Sequence, residues 1–460
     1  MLTKPFPTDF LWGVATSSYQ IEGGATADGR LPSIWDTFCL TPGAIEDGSS
    51  GDVACDHYGR WREDVGLLAK GLGVGAYRFS LAWPRIIPTG TGAVNAAGLD
   101  FYDRLVDALL EAGVAPCPTL YHWDLPQPLE DAGGWPLRDT VEAFERYADV
   151  VAARLGDRVS SWVTINEPWC AAWLGYAEGA HAPGRRSPSD ALAAIHHLLL
   201  AHGRAAQRIA AHVTNPDIGI AQLYVHPMAA SSSAADADAT RKLDGFFNRW
   251  FLDPLYRGAY PEDVIADHVR DGHLTEPELP FVAPGDLACI ATPTTTLAVN
   301  YYSRAIVRSE AVAEGDNAPR EIPEPTADVK TDMDWEVYPD GLRAALMRVH
   351  RDYAPVRLIV AENGCAYDTP PDSDGVVRDT RRVAYLRGHL EATRQAIEEG
   401  APVQGYYLWS AFDNFEWAFG YAKRFGVIWV DFETGERTIK QSGHWYARVV
   451  ADHGVEREES

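Results

Sequence analysis

The sequence has no run of 18 uninterrupted apolar residues, so no conventional membrane-spanning helix is expected. Its six cysteines (Cys39, Cys55, Cys117, Cys170, Cys289 and Cys365) are scattered and form no CxxC pair. Neither a disulfide framework nor a zinc ribbon is therefore expected. The opening MLTKPFPTDFLWG shows no apolar stretch followed by a small-residue cleavage site, and the reading is a soluble, cytoplasmic protein with a reduced interior. Basic residues are scarce: 40 Lys and Arg stand against 65 Asp and Glu, a net charge of −25. That balance repels nucleic acid and anionic membranes, so neither is an expected partner, and its plain consequence is solubility.

Several chemical signatures are missing too. There is no Walker loop, no GxGxxG after a strand, no GxSxG elbow and no HExxH. Nucleotide binding, dinucleotide redox chemistry, serine hydrolysis and zinc proteolysis thus lack a handle, and no cofactor or metal is expected. His196, His197, His202 and His212 fall on one helical stretch and read as helix-face or core histidines.

What is present is a chain of 460 residues, 46% hydrophobic and without polar tracts, able to bury a large core. Short β-rich apolar runs alternate with longer stretches of helical periodicity, the pattern of repeated β/α units. The runs span 10–16, 76–83, 115–123, 161–167, 218–226, 297–302, 357–362 and 403–409. Between them, 99–113 and 379–400 carry apolar residues at three- and four-residue spacing and predict outer helices. Eight runs fit a closed barrel better than an open sheet, although the pattern alone leaves closure open. Two long connections, 40–58 and 303–337, predict exposed loops near the barrel mouth. No linker or second domain interrupts 1–460.

A barrel of this kind carries its chemistry where strands end at their C-terminal side. The runs deliver Arg78 and Trp83 (second), His122 and Trp123 (third), Asn166 and Glu167 (fourth), Asn300 and Tyr302 (sixth), Glu362 (seventh) and Trp409 (eighth). Glu167 and Glu362 each follow an apolar strand, where a carboxylate is costly unless it faces a polar cavity. A facing pair is what glycoside cleavage requires: one carboxyl protonates the departing oxygen while the other attacks or activates water. Taken singly, Glu167 also reads as a turn residue before Pro168, and Glu362 as the lead into an Asn-Gly turn. Tryptophans at run ends and loops (Trp35, Trp123, Trp169, Trp335, Trp409, Trp417) suit the C–H faces of a pyranose, while any one of them also reads as core. Gln20, His122, Asn166 and Glu416 are candidate partners for sugar hydroxyls.

These residues sit in motifs that resemble the family 1 retaining β-glycosidases over essentially the whole chain. FLWGVATSSYQIEG (10–23), YRFSLAWPRI (77–86), LYHWDLPQPL (120–129), TINEP (164–168), NYYSR (300–304), AENG (361–364) and DNFEWAFGYAKRFG (413–426) occur in the family's order. The resemblance implies a single (β/α)8 barrel and a double displacement, with Glu362 as nucleophile and Glu167 as acid and base. It also implies that Arg78 and Tyr302 orient Glu362 and that Asn166 binds the sugar 2-hydroxyl. Gln20, His122, Trp123, Asn300, Glu416 and Trp417 would grip the glucose, over Trp409 as floor and with Phe425 near its 6-position. Trp169, Cys170 and Trp335 would line the aglycone entrance. The implied partner is a small β-glucoside or cello-oligosaccharide.

Three positions depart from the family pattern: Leu31 and Asp334 stand where glycine is common, and Phe419 where glutamate is frequent. The rival activity on the same fold is a 6-phospho-β-glucosidase, with Lys423 and Arg424 as its conceivable phosphate ligands. The other rival, a non-catalytic sugar-binding protein, would typically have lost a carboxylate, and a thioglucoside-cleaving relative would carry Gln in place of Glu167.

Overall fold

The computed structural model describes residues 5–312 and 320–456. All eight apolar runs form strands, and every neighbouring pair in the resulting closed barrel is parallel. In chain order the strands are Leu11–Ala15, Ala76–Ser80, Ala115–Tyr121, Ser161–Asn166, Asp217–Leu223, Thr296–Asn300, Arg357–Asn363 and Val403–Trp409. The first pairs with both the second and the eighth, which closes the ring. The expected outer helices are Ala96–Glu111 and Thr380–Glu398. Each buries the apolar stripe that its periodicity announced.

Two cores result. The larger lies between strands and helices and takes most of the Leu, Ile, Phe and Trp. Inside the barrel a second cluster is built from small side chains (Ala15, Ala76, Cys117, Val163, Ala221, Ala298) and includes Trp409 and Phe425. On the helix Pro188–His212 the histidines do behave as core and surface groups. His196 bonds Tyr260 and Asp286, His202 bonds Thr164, and His212 reaches Asp149 at the exposed end.

Several run ends were drawn too long. The second strand stops at Ser80, and Trp83 opens the short helix Trp83–Ile86 with its ring stacked on Tyr147, in the core and not at a reactive end. The third, fifth and sixth strands stop at Tyr121, Leu223 and Asn300. His226 instead starts a separate strand, His226–Ala229, that pairs in parallel with Arg304–Val307. The connection 303–337 is therefore not a plain loop, and its residues 313–319 lie outside the described ones. Segment 40–58 is also less exposed than expected: Ile45, Ala54, Cys55 and His57 are buried. A loop that wide can lie over the barrel only by burying some apolar side chains of its own.

Three ladders slip in register near their C-terminal ends, between Val163 and Asn166, between Val299 and Asn300, and between Tyr406 and Leu408. Such irregularities re-aim side chains, and here they flank the chemically rich positions. Among the described residues no helix is long and apolar enough to cross a membrane.

Candidate active site

Glu167 and Glu362 meet at the C-terminal mouth of the barrel. Glu362 lies in the seventh strand opposite Asn300 of the sixth, at the register slip. Glu167 follows the fourth strand with φ 45, its NH donating to the Ala221 carbonyl at 2.9 Å. The left-handed backbone lets the chain turn from strand into the next helical segment while the carboxyl stays inside. Trp123 (φ 78) and Trp417 (φ 50) share this unusual backbone. Each such residue costs about 1–3 kcal/mol and persists only where surrounding structure enforces it. Gly364 of the AENG motif is enforced differently: a Cβ there would lie 1.6 Å from the Trp409 carbonyl oxygen, so no other residue fits between the seventh and eighth strands.

One guanidinium organises the centre. Arg78, 1% exposed, donates to Glu362 Oε1 at 2.8 Å, to the Ala361 carbonyl at 3.1 Å, to Asn166 Oδ1 at 2.7 Å and to Thr119 Oγ1 at 3.1 Å. Tyr302 donates its hydroxyl to Glu362 Oε2 at 2.7 Å, so both oxygens of that carboxylate are held. Asn300 Nδ2 donates to Glu167 Oε1 at 2.8 Å and to Asn166 Oδ1 at 3.1 Å. The two carboxyls are thus linked through Asn300, Asn166 and Arg78. Because Arg78 fixes which end of Asn166 is the acceptor, Asn166 Nδ2 faces His122 Nε2 at 3.1 Å as donor, leaving the His122 proton on Nδ1.

Burial and mutual repulsion divide the protons. Glu167 is pushed up to about 8, first by burial and then by the neighbouring Glu362 charge. Burial also raises Glu362, but Arg78 and Tyr302 oppose it directly. Two adjacent carboxyls with one guanidinium on one of them do not both ionise near neutral pH, and the proton stays on Glu167. Glu416 is likewise raised to about 8 by burial, with Glu362 adding to the effect and Gln20 Nε2, 3.3 Å away, opposing it. His122 is held neutral by burial and by the Arg78 charge. A proton-holding acid facing an oriented carboxylate can protonate a leaving group and attack the atom it leaves.

The pair opens into a cavity of about 470 Å³, the size of a small-ligand site. Of the expected residues, His122, Trp123, Trp169, Cys170, Tyr302, Trp335, Trp409, Glu416, Trp417 and Phe425 line it together with the two glutamates. Gln20, Arg78, Asn166 and Asn300 are fully or nearly fully buried, and the Asn166 side chain bonds Arg78, Asn300 and His122. Trp35 is core: buried at 0% exposure, it backs Trp417 with ring centroids 4.6 Å apart.

Residues that the sequence did not single out also reach the wall, including His181, Leu223, Tyr224, Ile306 and Met333. His181 sits against Trp35 and Trp123 and is lowered to about 3 by burial. Nothing local marks it, because its place depends on the turn after a neighbouring helical segment.

A profile described as Glycosyl hydrolase family 1 matches residues 2–455. The chain belongs to glycosyl hydrolase family 1. It is similar to beta-glucosidase A of Thermotoga maritima, 45% identical over 461 residues that cover 99% of this chain and all of that protein. Similarity to the bifunctional beta-D-glucosidase/beta-D-fucosidase of Bifidobacterium breve is comparable, at 45% identity over 99% of this chain and 100% of the relative. Among solved structures it matches beta-glucosidase from Thermotoga maritima in complex with deoxynojirimycin. That match has a TM-score of 0.92 and 44% identity, covering 99% of this chain and 100% of the other.

The family 1 frame makes one departure interpretable and bears on the rival activity. Asp334, where the family usually has glycine, has φ 61; aspartate is one of the few side chains that tolerates this region, and it is paired with Lys330. Lys423 and Arg424 are both committed elsewhere. Lys423 Nζ donates to the Asp332 carbonyl, and Arg424 pairs with Asp413 while stacking on Trp429. Neither lines the cavity, and Glu416, which does, supplies no cation to hold a phosphate.

Proposed function

We propose that the protein is a retaining β-glucosidase, acting as one catalytic unit on small β-glucosides and cello-oligosaccharides. The observation that carries this reading is the placement of Glu167 and Glu362, linked through Asn300, Asn166 and Arg78, in a single cavity walled by tryptophan. In the first step Glu362 attacks the anomeric carbon while Glu167 gives its proton to the glycosidic oxygen. The leaving group departs as an alcohol and a covalent glycosyl-enzyme forms. In the second step Glu167, now ionised, takes a proton from water, whose oxygen displaces Glu362 and restores it. Arg78 and Tyr302 hold both oxygens of Glu362 and keep it the more acidic partner. Loss of the Glu362 charge in the covalent intermediate lowers the Glu167 pKa and makes it a base for the second step.

Trp409 serves as floor and Trp417, Glu416 and His122 as walls for the glucose, with Asn166 at its 2-hydroxyl and Gln20 and Asn300 as further hydroxyl partners. Trp169, Cys170 and Trp335 flank the aglycone. Six free cysteines suit a reducing, cytoplasmic setting. The relatives named beta-glucosidase, and the neighbour bound to a sugar-like inhibitor, support a small glycoside as ligand. A panel of 4-nitrophenyl glycosides with cellobiose and longer cello-oligosaccharides tests the reading, together with one glucoside compared with its 6-phosphate. Hydrolysis of β-glucosides with retained configuration is expected; a strong preference for the 6-phosphate overturns it.

A further inference from the structure

Few large apolar side chains are left exposed among the described residues, and of these only Phe419 lines the cavity. It is 36% exposed. Its backbone is tied into a tight turn. The residue ends the turn Trp417–Phe419, and its NH donates to the Glu416 carbonyl at 2.9 Å. Gly420 follows with φ 59, where a Cβ would meet the Asp47 carboxylate at 2.0 Å, so the turn continues only through glycine. Lys423 Nζ lies 5.5 Å from the ring centroid while donating to the Asp332 carbonyl at 2.8 Å, which backs the ring with a tethered cation.

The charged groups around the same rim are paired with one another: Arg304 with Glu336, Lys330 with Asp334, and Glu324 with Arg320. Hydroxyls of a second sugar would compete for groups already engaged, whereas a flat apolar group covers the ring without breaking a pair. Family members frequently carry glutamate here, which would offer such hydroxyls an acceptor.

Resting on the β-glucosidase reading, we propose that Phe419 is a specificity-determining residue. It is a fixed aromatic platform at the cavity mouth that favours aryl aglycones over glycosyl ones.

The test measures kcat and KM for 4-nitrophenyl β-glucoside and for cellobiose with wild type, Phe419→Glu and Phe419→Leu, each checked for folding by its thermal midpoint. Taking the variant-to-wild-type ratio for each substrate cancels their intrinsic difference in leaving-group reactivity. Phe419→Glu is expected to lower kcat/KM for the aryl glucoside about fivefold through KM, with cellobiose unchanged or improved; Phe419→Leu gives a smaller loss on the same substrate. Equal factors on both substrates, or a loss confined to cellobiose, overturn the proposal. If Phe419→Glu does not fold, the same ratio for Phe419→Leu decides. Wild type that hydrolyses neither substrate overturns the β-glucosidase reading itself, a result distinct from equal factors in an active enzyme.

Discussion

The barrel has a polar cluster at each end, and the two are built on opposite terms. At the N-terminal end Asp217, Ser161, Thr296 and Arg357 are the first residues of their strands. Asp217 accepts from Ser161 at 3.1 Å, from Thr295 at 2.8 Å, and from Thr296 and Arg357. Every contact there is complementary. At the C-terminal end three neighbouring carboxyls, Glu167, Glu362 and Glu416, have one guanidinium, paired with Glu362; the His122 Nδ1 and Asn300 Oδ1 atoms are buried without a protein partner, and three residues take left-handed backbone. The same strands carry both clusters, so the difference does not come from the fold. A cluster of complementary pairs, with only Arg357 Nε left without a partner, stabilises closure, while one with more unspent hydrogen-bonding capacity and a stored proton is suited to bind and react.

Four substitutions break or sharpen that contrast. Glu362→Ala should lower turnover by roughly 10⁴-fold or more while leaving the fold intact, and azide or formate should partly restore it with inverted product. Unchanged turnover, read by a simple chromogenic assay, would sink the nucleophile assignment. Glu167→Ala should cost about 10²–10⁴-fold on poor leaving groups and spare the first step for activated ones; a plot of kcat/KM against leaving-group pKa should steepen. Asp217→Ala should do the reverse, destabilising the protein by about 1–3 kcal/mol, since this pair is partly exposed, with kcat/KM of the folded enzyme unchanged.

The smallest effect is expected from Glu416→Gln, read as a thermal midpoint against pH. The folded-state pKa of Glu416, about 8, stands above its ordinary value of 4.5, so the folded protein holds a proton that the unfolded chain releases. Wild-type stability contributed by that proton is complete below pH 4.5 and is lost as pH rises toward 8. The glutamine variant lacks this loss, and its midpoint relative to wild type should climb by roughly a few degrees across that window. The pH–rate profile follows the same logic at Glu167, with activity falling as pH rises through about 8.

Much of this was legible in the sequence because both periodicities were clean. Strands buried on both faces read as continuous apolar runs, so all eight were visible. The glutamates stood out as a pair: each alone also reads as a turn residue, but two carboxylates ending apolar runs point to one facing site. What failed was distance-dependent. Trp35 and Trp83 share the sequence context of the wall tryptophans, and only packing shows that one backs Trp417 and the other stacks on Tyr147. The short parallel pair His226–Ala229 and Arg304–Val307 escaped because four-residue strands in long connections have no periodicity to read.

Arg78 touches the third, fourth and seventh strands from its place in the second. Nearly three hundred positions of chain therefore converge on one side chain, and no shorter nascent piece carries a half-competent centre. Hydrolysis by this protein is consequently an all-or-none reporter of completed topology, silent until the last third of the polypeptide has been threaded into place.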